Sequence, residues 1–448
     1  MDLHFPKKVL QCRKTNGEGH TVKKGDHLYQ QFVNILREEL RPAMGCTEPI
    51  ALALAAAKAR QILGALPDRV EARVSGNIIK NVKSVVVPNT GGRRGIAAAI
   101  CAGIVAGDDD ASLQVISRVT PQQRRALAEY MAKEPVTIRP ADSGLVFDID
   151  LTVYSGDDSA RLRIANHHTN IVLMQRNREI LLELPVEEAP EDNLTDKSCL
   201  SIERIVEFAD CLDVADVEDT VGRQLECNMA IAREGIANNW GANIGSVLLQ
   251  NQGDLLSKRA AAYAAAGSDA RMSGCEMPVI ILSGSGNQGI TASVPVAVYA
   301  EALGKTREEL LRAVTLSDLV TVHQKTGIGR LSAYCGAISA GCGAGAGIAY
   351  LTGGRLHAVA HTLVNSLAIL SGTICDGAKP SCAAKIAAAV DAGILGWQMH
   401  RQNQQFYGGD GIVTKGVDRT VKNVGRLASE GMRQTDETIL KIMLSDGC

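Results

Sequence analysis

The first clear periodicity lies at residues 26–40, where Leu28, Phe32, Ile35, Leu36 and Leu40 recur at helical spacing and form one apolar face. Asp26 suits the N-cap of that helix. Arg41-Pro42 ends it, because the residue before a proline is pushed out of the helical region. A second helix is predicted over 49–63, PIALALAAAKARQIL, with Pro49 in its first turn and Thr47 or Glu48 as its cap. The texture then changes. From Val70 to Pro185, segments such as EARVSGNIIKNVKSVVVP, VTIRP, LVFDIDLTVYSG, ARLRIAN and NIVLMQRN run or alternate with β-branched residues and close on turn formers, which predicts a small sheet. Helices over 96–106 and 121–133 interrupt it. The acidic, proline-containing VEEAPEDNLTDKS at 186–198 reads as a linker. From Cys199 onward helical spacing returns, for example in SIERIVEFADCL, DLLSKRAAAYAAAGSDARM and EELLRAVTLSDLVTVHQ.

The expected fold class is therefore α+β, a largely helical Ala/Gly-rich part with a smaller β-containing domain inserted after the N-terminal helices. Its divisions are a flexible leader at 1–25, N-terminal helices at 26–66 packing with the helical part, an α+β subdomain at 67–185, the linker at 186–198, and a mainly helical domain at 199–448.

Composition sharpens this picture in two ways. Hydrophobic residues make up 46% of the chain but aromatics only 3%, so alanine and small aliphatics do the packing and helices are expected to approach closely. Ala/Gly-rich helix faces also make a homo-oligomer a reasonable expectation. The formal net charge is -2, from 47 basic and 49 acidic residues, which leaves no electrostatic footprint for nucleic acid or an anionic membrane. Two long uncharged stretches, 277–300 and 331–350, are broken by glycines and polar groups and read as buried core, not membrane spans. The 12 cysteines are too sparse for a disulfide scaffold, and the polar N-terminal stretch lacks the apolar segment of a signal peptide. A reducing, cytoplasmic setting is expected, with any functional cysteine acting as a thiolate or a metal ligand.

Candidate chemistry concentrates in three places. Cys335, Cys342, Cys375 and Cys382 fall in under fifty residues, separated mostly by glycine and alanine. Thiolates gathered in this way suit zinc or an iron–sulfur cluster, although the spacing matches no common zinc or ferredoxin pattern and buried cysteine also serves as a small hydrophobe. Cys46 immediately precedes a predicted helix N-terminus, where the partial positive charge favours a thiolate. It is a candidate base or nucleophile, the alternative being a structural cysteine in a turn. Finally, Gly284-Ser285-Gly286-Asn287-Gln288-Gly289 has the form G-x-G-x-x-G, with Glu301 17 residues after Gly284. A dinucleotide site needs that motif inside a βαβ unit, and Pro295 and the flanking helices argue against one. The better use is a loop whose backbone N–H groups, with Ser285, Gly286, Asn287 and Gln288, grip a carboxylate. Asn77 and the Asn89–Gly92 turn are weaker candidates for the same task.

Five motifs in order, MGCTEP at 44–49, VVVPNTGG at 85–92, SGSGNQG at 283–289, AYCGAISAGCGAGAG at 333–347 and the Cys375/Cys382 segment, resemble the L-cysteine desulfidase family. That family is related to the α chain of iron–sulfur L-serine dehydratases and includes members of unknown activity. The resemblance runs from about Asp26 to Met443. It implies a [4Fe–4S] cluster held by three cysteines with one iron open to substrate, and its ligand pattern falls on Cys335, Cys375 and Cys382, leaving Cys342 out. It assigns the role of base to Cys46 and implies elimination of sulfide from L-cysteine to give pyruvate and ammonia. L-serine dehydration at the same site, and a non-catalytic cluster-bearing sensor, are the alternatives. Related serine dehydratases place a C-terminal cysteine in the active site. Cys448 is the matching candidate, and an incidental terminal thiol is the alternative.

Overall fold

The computed structural model describes residues 21–186, 194–329 and 332–445, and its hydrophobic residues gather into a smaller and a larger core. Residues 1–20 of the expected leader, 187–193 of the expected linker, and Cys448 lie outside the described residues.

Helix α1 (His27–Glu39) begins after Asp26, as the pattern predicts, and buries Phe32, Ile35 and Leu36 in the larger core. The chain then forms a short strand β1 (Arg41–Met44), which the proline signal alone did not announce. Helix α2 (Thr47–Leu63) starts two residues earlier than expected, so Cys46, not Thr47 or Glu48, is its N-cap. This helix was expected to pack with the helical part, but it lies in the smaller core. It is buried nearly all round, and α4 (Gly95–Ala106) approaches so closely that a Cβ on Gly103 would lie 2.1 Å from the Ala53 carbonyl oxygen.

That smaller core is closed by a six-stranded sheet in the order β3-β2-β4-β5-β6-β7. Its strands are β2 (Arg69–Val74), β3 (Val136–Pro140), β4 (Asp148–Ser155), β5 (Asp158–Ala165), β6 (Ile171–Arg176) and β7 (Glu179–Glu183). Only β2 and β3 run parallel; the other neighbours are antiparallel. Val70, Ala72 and Val74 point from β2 into the core at the period of two that the sequence displays. Helices α3 (Gly76–Val82) and α5 (Pro121–Met131) complete this part, α5 with a capping box between Thr120 and Gln123.

The larger core is helical: α6 (Ile202–Cys211), α7 (Arg223–Ala237), α8 (Ile244–Gln252), α9 (Leu256–Met272), α10 (Gly286–Ala302), α11 (Arg307–Ile328), α12 (Gly336–Leu351), α13 (Leu356–Leu370), α14 (Cys382–Arg401), α15 (Val417–Arg426) and α16 (Arg433–Ser445). A short strand β8 (Pro278–Ile281) pairs antiparallel with β1 in a two-stranded ribbon just before the glycine loop. That ribbon is not a βαβ unit, so the dinucleotide reading of the G-x-G-x-x-G motif has no frame to stand on. Pro295 sits inside α10 and does not end it. The helical parts of the two uncharged stretches, α10 and α12, are largely buried, and no described helix is long and apolar enough to cross a membrane.

Candidate active site

Backbone pairing explains how cysteines 40 residues apart meet. Cys335 N–H donates to the Thr373 carbonyl (3.0 Å) and Cys375 N–H to the Ala333 carbonyl (2.5 Å), a short antiparallel bridge centred on Tyr334 and Ile374. The two thiols lie close enough inside it to share a proton. Cys375 is held well below the usual thiol range by its interaction with Cys335 and by Lys80 and Lys379, while Cys335 is pushed up. Cys382 follows after a tight turn whose Gly377 has φ +94° and lies against the Lys80 carbonyl, where a Cβ would come within 2.0 Å. Its Sγ lies 3.7 Å from the Gly377 carbonyl, and it interacts electrostatically with Cys375 and Cys46. Thus Cys46, Cys335, Cys375 and Cys382 are brought together.

Cys342 does not join them. It is buried in α12, where desolvation pushes its thiol up to about 12, and among the described residues no other cysteine contributes to its shift.

Cys46 is placed by Gly45, whose φ is +63° and where a Cβ would lie 2.6 Å from Pro88 Cγ, so no side chain fits. The surroundings of Cys46 favour the thiol over the expected thiolate. The thiol is buried beside Glu48, and burial first and Glu48 second raise its pKa, against the lowering effect of Arg271. Its Sγ donates to Glu48 Oε2 at 3.4 Å, and Glu48 also accepts from Thr47 Oγ1 (3.2 Å) and Asn81 Nδ2 (3.2 Å).

The glycine loop reaches the same place through Arg271. Arg271 Nε donates to the Gly45 carbonyl (3.1 Å) and Nη1 to Asn287 Oδ1 (3.1 Å), while a Cβ on Gly286 would strike the guanidinium. Gln288 packs over Gly336, the residue after Cys335, where a Cβ would be 2.7 Å from its amide carbon. The buried Gln288 Oε1 has no hydrogen-bond partner among the described residues, and neither does Asn77 Oδ1, one turn before Asn81 on α3. Ser285 caps α10 in position, though its hydroxyl makes no capping bond. The side chains of the Asn89–Gly92 turn are engaged by neighbouring backbone instead, with Asn89 Nδ2 donating to the Ile116 carbonyl and Thr90 Oγ1 to the Val87 carbonyl.

Four helix N-termini therefore meet at one site: α2 at Cys46, α10 at Ser285, α12 at Cys335 and α14 at Cys382. Their partial positive charges add to those of Arg271, Lys80, Lys379, Lys385 and Lys325, so the site favours anions. Lys325 is buried next to Cys335 and Cys375, and desolvation pulls its pKa down to about 8. Arg271, Glu48, Lys80 and the placement of Lys325 were missed by sequence reasoning. Only the spacing of Glu48 from Cys46 offered any local signal.

Residues 110–441 match the family model for the serine dehydratase alpha chain. A UPF0597 protein of Desulfitobacterium hafniense (strain Y51) is 55% identical over 424 residues, covering 95% of this chain and 99% of the relative. UPF0597 proteins of Treponema denticola (44% identical, 93% of this chain and 98% of the relative) and Lachnoclostridium phytofermentans (45%, 93% and 100%) are also similar. The chain belongs to the serine dehydratase alpha-chain family. The matched region contains the glycine loop and Cys335, Cys375 and Cys382, and it begins after Cys46 and α3.

Proposed function

We propose that the protein is an iron–sulfur-dependent lyase that eliminates sulfide from L-cysteine to give pyruvate and ammonia. The observation that supports this most is the meeting of Cys335, Cys375 and Cys382 with Cys46 and the Ser285–Gln288 loop at converging helix N-termini. The donor set fits the cofactor: three soft sulfur ligands, none of them in a disulfide, lie among lysines and helix termini that offset the charge of thiolates. Cys335, Cys375 and Cys382 would hold a [4Fe–4S] cluster, which when bound supplies an open iron as Lewis acid for the substrate carboxylate or the leaving sulfur.

The chain's own residues supply the rest. The N–H groups at the start of α10 and the Arg271-held Asn287 bind the substrate carboxylate, and the open acceptor on Gln288 takes a hydrogen bond from its ammonium. Cys46 removes the Cα proton. Because its resting form is the thiol, it must first release its own proton, and Glu48 Oε2 is the acceptor in contact with it. Breaking the Cβ–S bond as the Cα proton leaves gives sulfide and 2-aminoacrylate, whose imine tautomer hydrolyses to pyruvate and ammonia. L-serine, losing water in place of sulfide, is the second reading, favoured by the description of the matching family. Hydroxyl and thiol substrates differ by only a few pocket contacts.

The test is anaerobic: reconstitute the protein with iron and sulfide, record its visible spectrum, then supply L-cysteine and L-serine while following sulfide and pyruvate. A brown protein that releases sulfide and pyruvate from cysteine is expected. Pyruvate from serine alone would select the second reading. A colourless protein that turns over neither substrate would end both.

A further inference from the structure

A second cluster of potential ligands lies at the opposite end of α14. His357 and His361 occupy positions i and i+4 on α13, and so share one face of that helix. His400 stands in the last turn of α14. One ring nitrogen from each of the three lies within 4.8 Å of the others. His361 Nδ1 and His400 Nδ1 are 3.3 Å apart, and the His357 and His361 rings lie with their centroids 3.8 Å apart. From Cys382 to His400 the helix advances about 27 Å, so this cluster is separate from the cysteine site.

We propose that His357, His361 and His400 form a binding site for a divalent transition-metal ion of the zinc class, with water in the remaining position. Tetrahedral zinc with bonds of about 2.0–2.1 Å to nitrogen has ligand–ligand edges of roughly 3.3 Å, which matches the His361–His400 separation. His357 is exposed, so its ring is free to close the third edge. The helices beneath are already fixed. One turn along α13, Asn365 Nδ2 donates to the Gly396 carbonyl (3.1 Å) and Asn365 Oδ1 accepts from Phe406 N–H (3.0 Å). Gly396 lets the two backbones approach, since a Cβ there would lie 2.6 Å from Ser366 Oγ. The His400 position at a helix C-terminus also favours a cation. A bound ion links α13 to α14 and stabilises the folded chain by mass action.

Cysteine thiolates are also zinc ligands in general, so the test is a difference. Full-length wild type and the variants H361N, H400N and H357A are dialysed anaerobically against the same micromolar free Zn²⁺, and bound zinc is counted. Wild type is expected to hold one equivalent more than H361N or H400N and to show a zinc-dependent rise in Tm that both lose. Cobalt gives the ligand type: the wild-type-minus-H361N spectrum should show a visible d–d band without sulfur-to-metal charge transfer. Equal zinc in wild type, H361N and H400N would overturn the proposal, as would sulfur charge transfer in the difference spectrum. If circular dichroism shows either half-buried variant misfolded, H357A decides. Its exposed ring is dispensable for folding, so binding at least roughly tenfold weaker is expected, and unchanged binding refutes the site.

Discussion

At Cys46 two effects of opposite sign compete. A helix N-terminus favours the thiolate by about 0.3–1 kcal/mol, or about 2 at best, whereas burying a charged sulfur in a low-dielectric site shifts its pKa by several units. Burial wins, and Glu48 adds to it. The proposed base is thus a thiol whose proton has a designated exit. Replacing Cys46 by Ser should cut turnover by roughly 10²–10⁴-fold, the ordinary contribution of a general base, while the visible absorbance of the cluster stays unchanged. Glu48→Gln should lower kcat without changing iron content, and if kcat is unaffected the Glu48 relay is wrong. A second buried acid gives a pH-dependent stability test. Asp318 accepts from Gln224 Nε2 at 3.0 Å, and burial pushes its carboxyl up from 3.8 to about 8. Between those values the folded state holds a proton that the unfolded state has released, so this residue's contribution to stability falls as pH rises through that window. Asn at this position keeps the acceptor oxygen and has no such penalty. The stability advantage of D318N over wild type in urea denaturation should therefore grow from pH 5 to pH 8, on the order of 1 kcal/mol per pH unit. A constant difference would refute the raised pKa.

Among the elements, α12 and α14 matter most, because each delivers a cysteine at its N-terminus and the packing between them sets where the two sulfurs stand. That packing is backbone on backbone. A Cβ on Gly393 would lie 2.1 Å from the Gly341 carbonyl oxygen, and one on Gly345 would lie 2.4 Å from that of Gly393. Gly393→Ala gains up to about 1 kcal/mol of helix propensity, but the clash is with backbone that cannot rotate away. The net result should be a loss of about 1–3 kcal/mol in chemical denaturation, with reduced iron content after reconstitution. Equal stability would show that the helices separate at little cost. This kind of packing was legible in the sequence as an excess of Ala and Gly over aromatics, and the helices over 96–106 and 121–133 stand where periodicity placed them. The start of α2 was displaced because its cap is a cysteine, a residue that turn chemistry does not flag. Strand β1 was hidden because it exists only through its pairing with β8, more than 230 residues away.

Across the whole molecule, the site lies where the smaller core meets the larger one. Cys46 and α3 come from the side of the sheet, and the other cysteines and Arg271 from the helices. Local sequence marks four gathered cysteines and a glycine loop, and only the family resemblance singles out Cys335, Cys375 and Cys382 among them. It does not reveal Arg271 or Lys80, because each joins the site through partners far away in sequence. Helix α16 ties the two sides together near the end of the chain: Lys80 pairs with Asp436, Lys83 Nζ donates to the Met443 carbonyl (2.5 Å), and Leu440 fills the space above Gly76. The Lys80 side chain is only 1% exposed, against 21% for Asp436, so losing the aspartate strands a buried cation. Asp436→Asn should cost about 2–3 kcal/mol in urea denaturation, less than a fully buried pair because water reaches the acid. Lys80→Met in the same chain should recover most of that loss, since an apolar side chain of similar length has no charge left unpaired. The double variant also separates two roles of Lys80. It is one of the cations that hold the Cys375 proton off, so Lys80→Met should restore stability yet weaken iron retention. If the double variant recovers stability and keeps iron as wild type does, Lys80 serves the join between the cores and has no part in holding the thiolate.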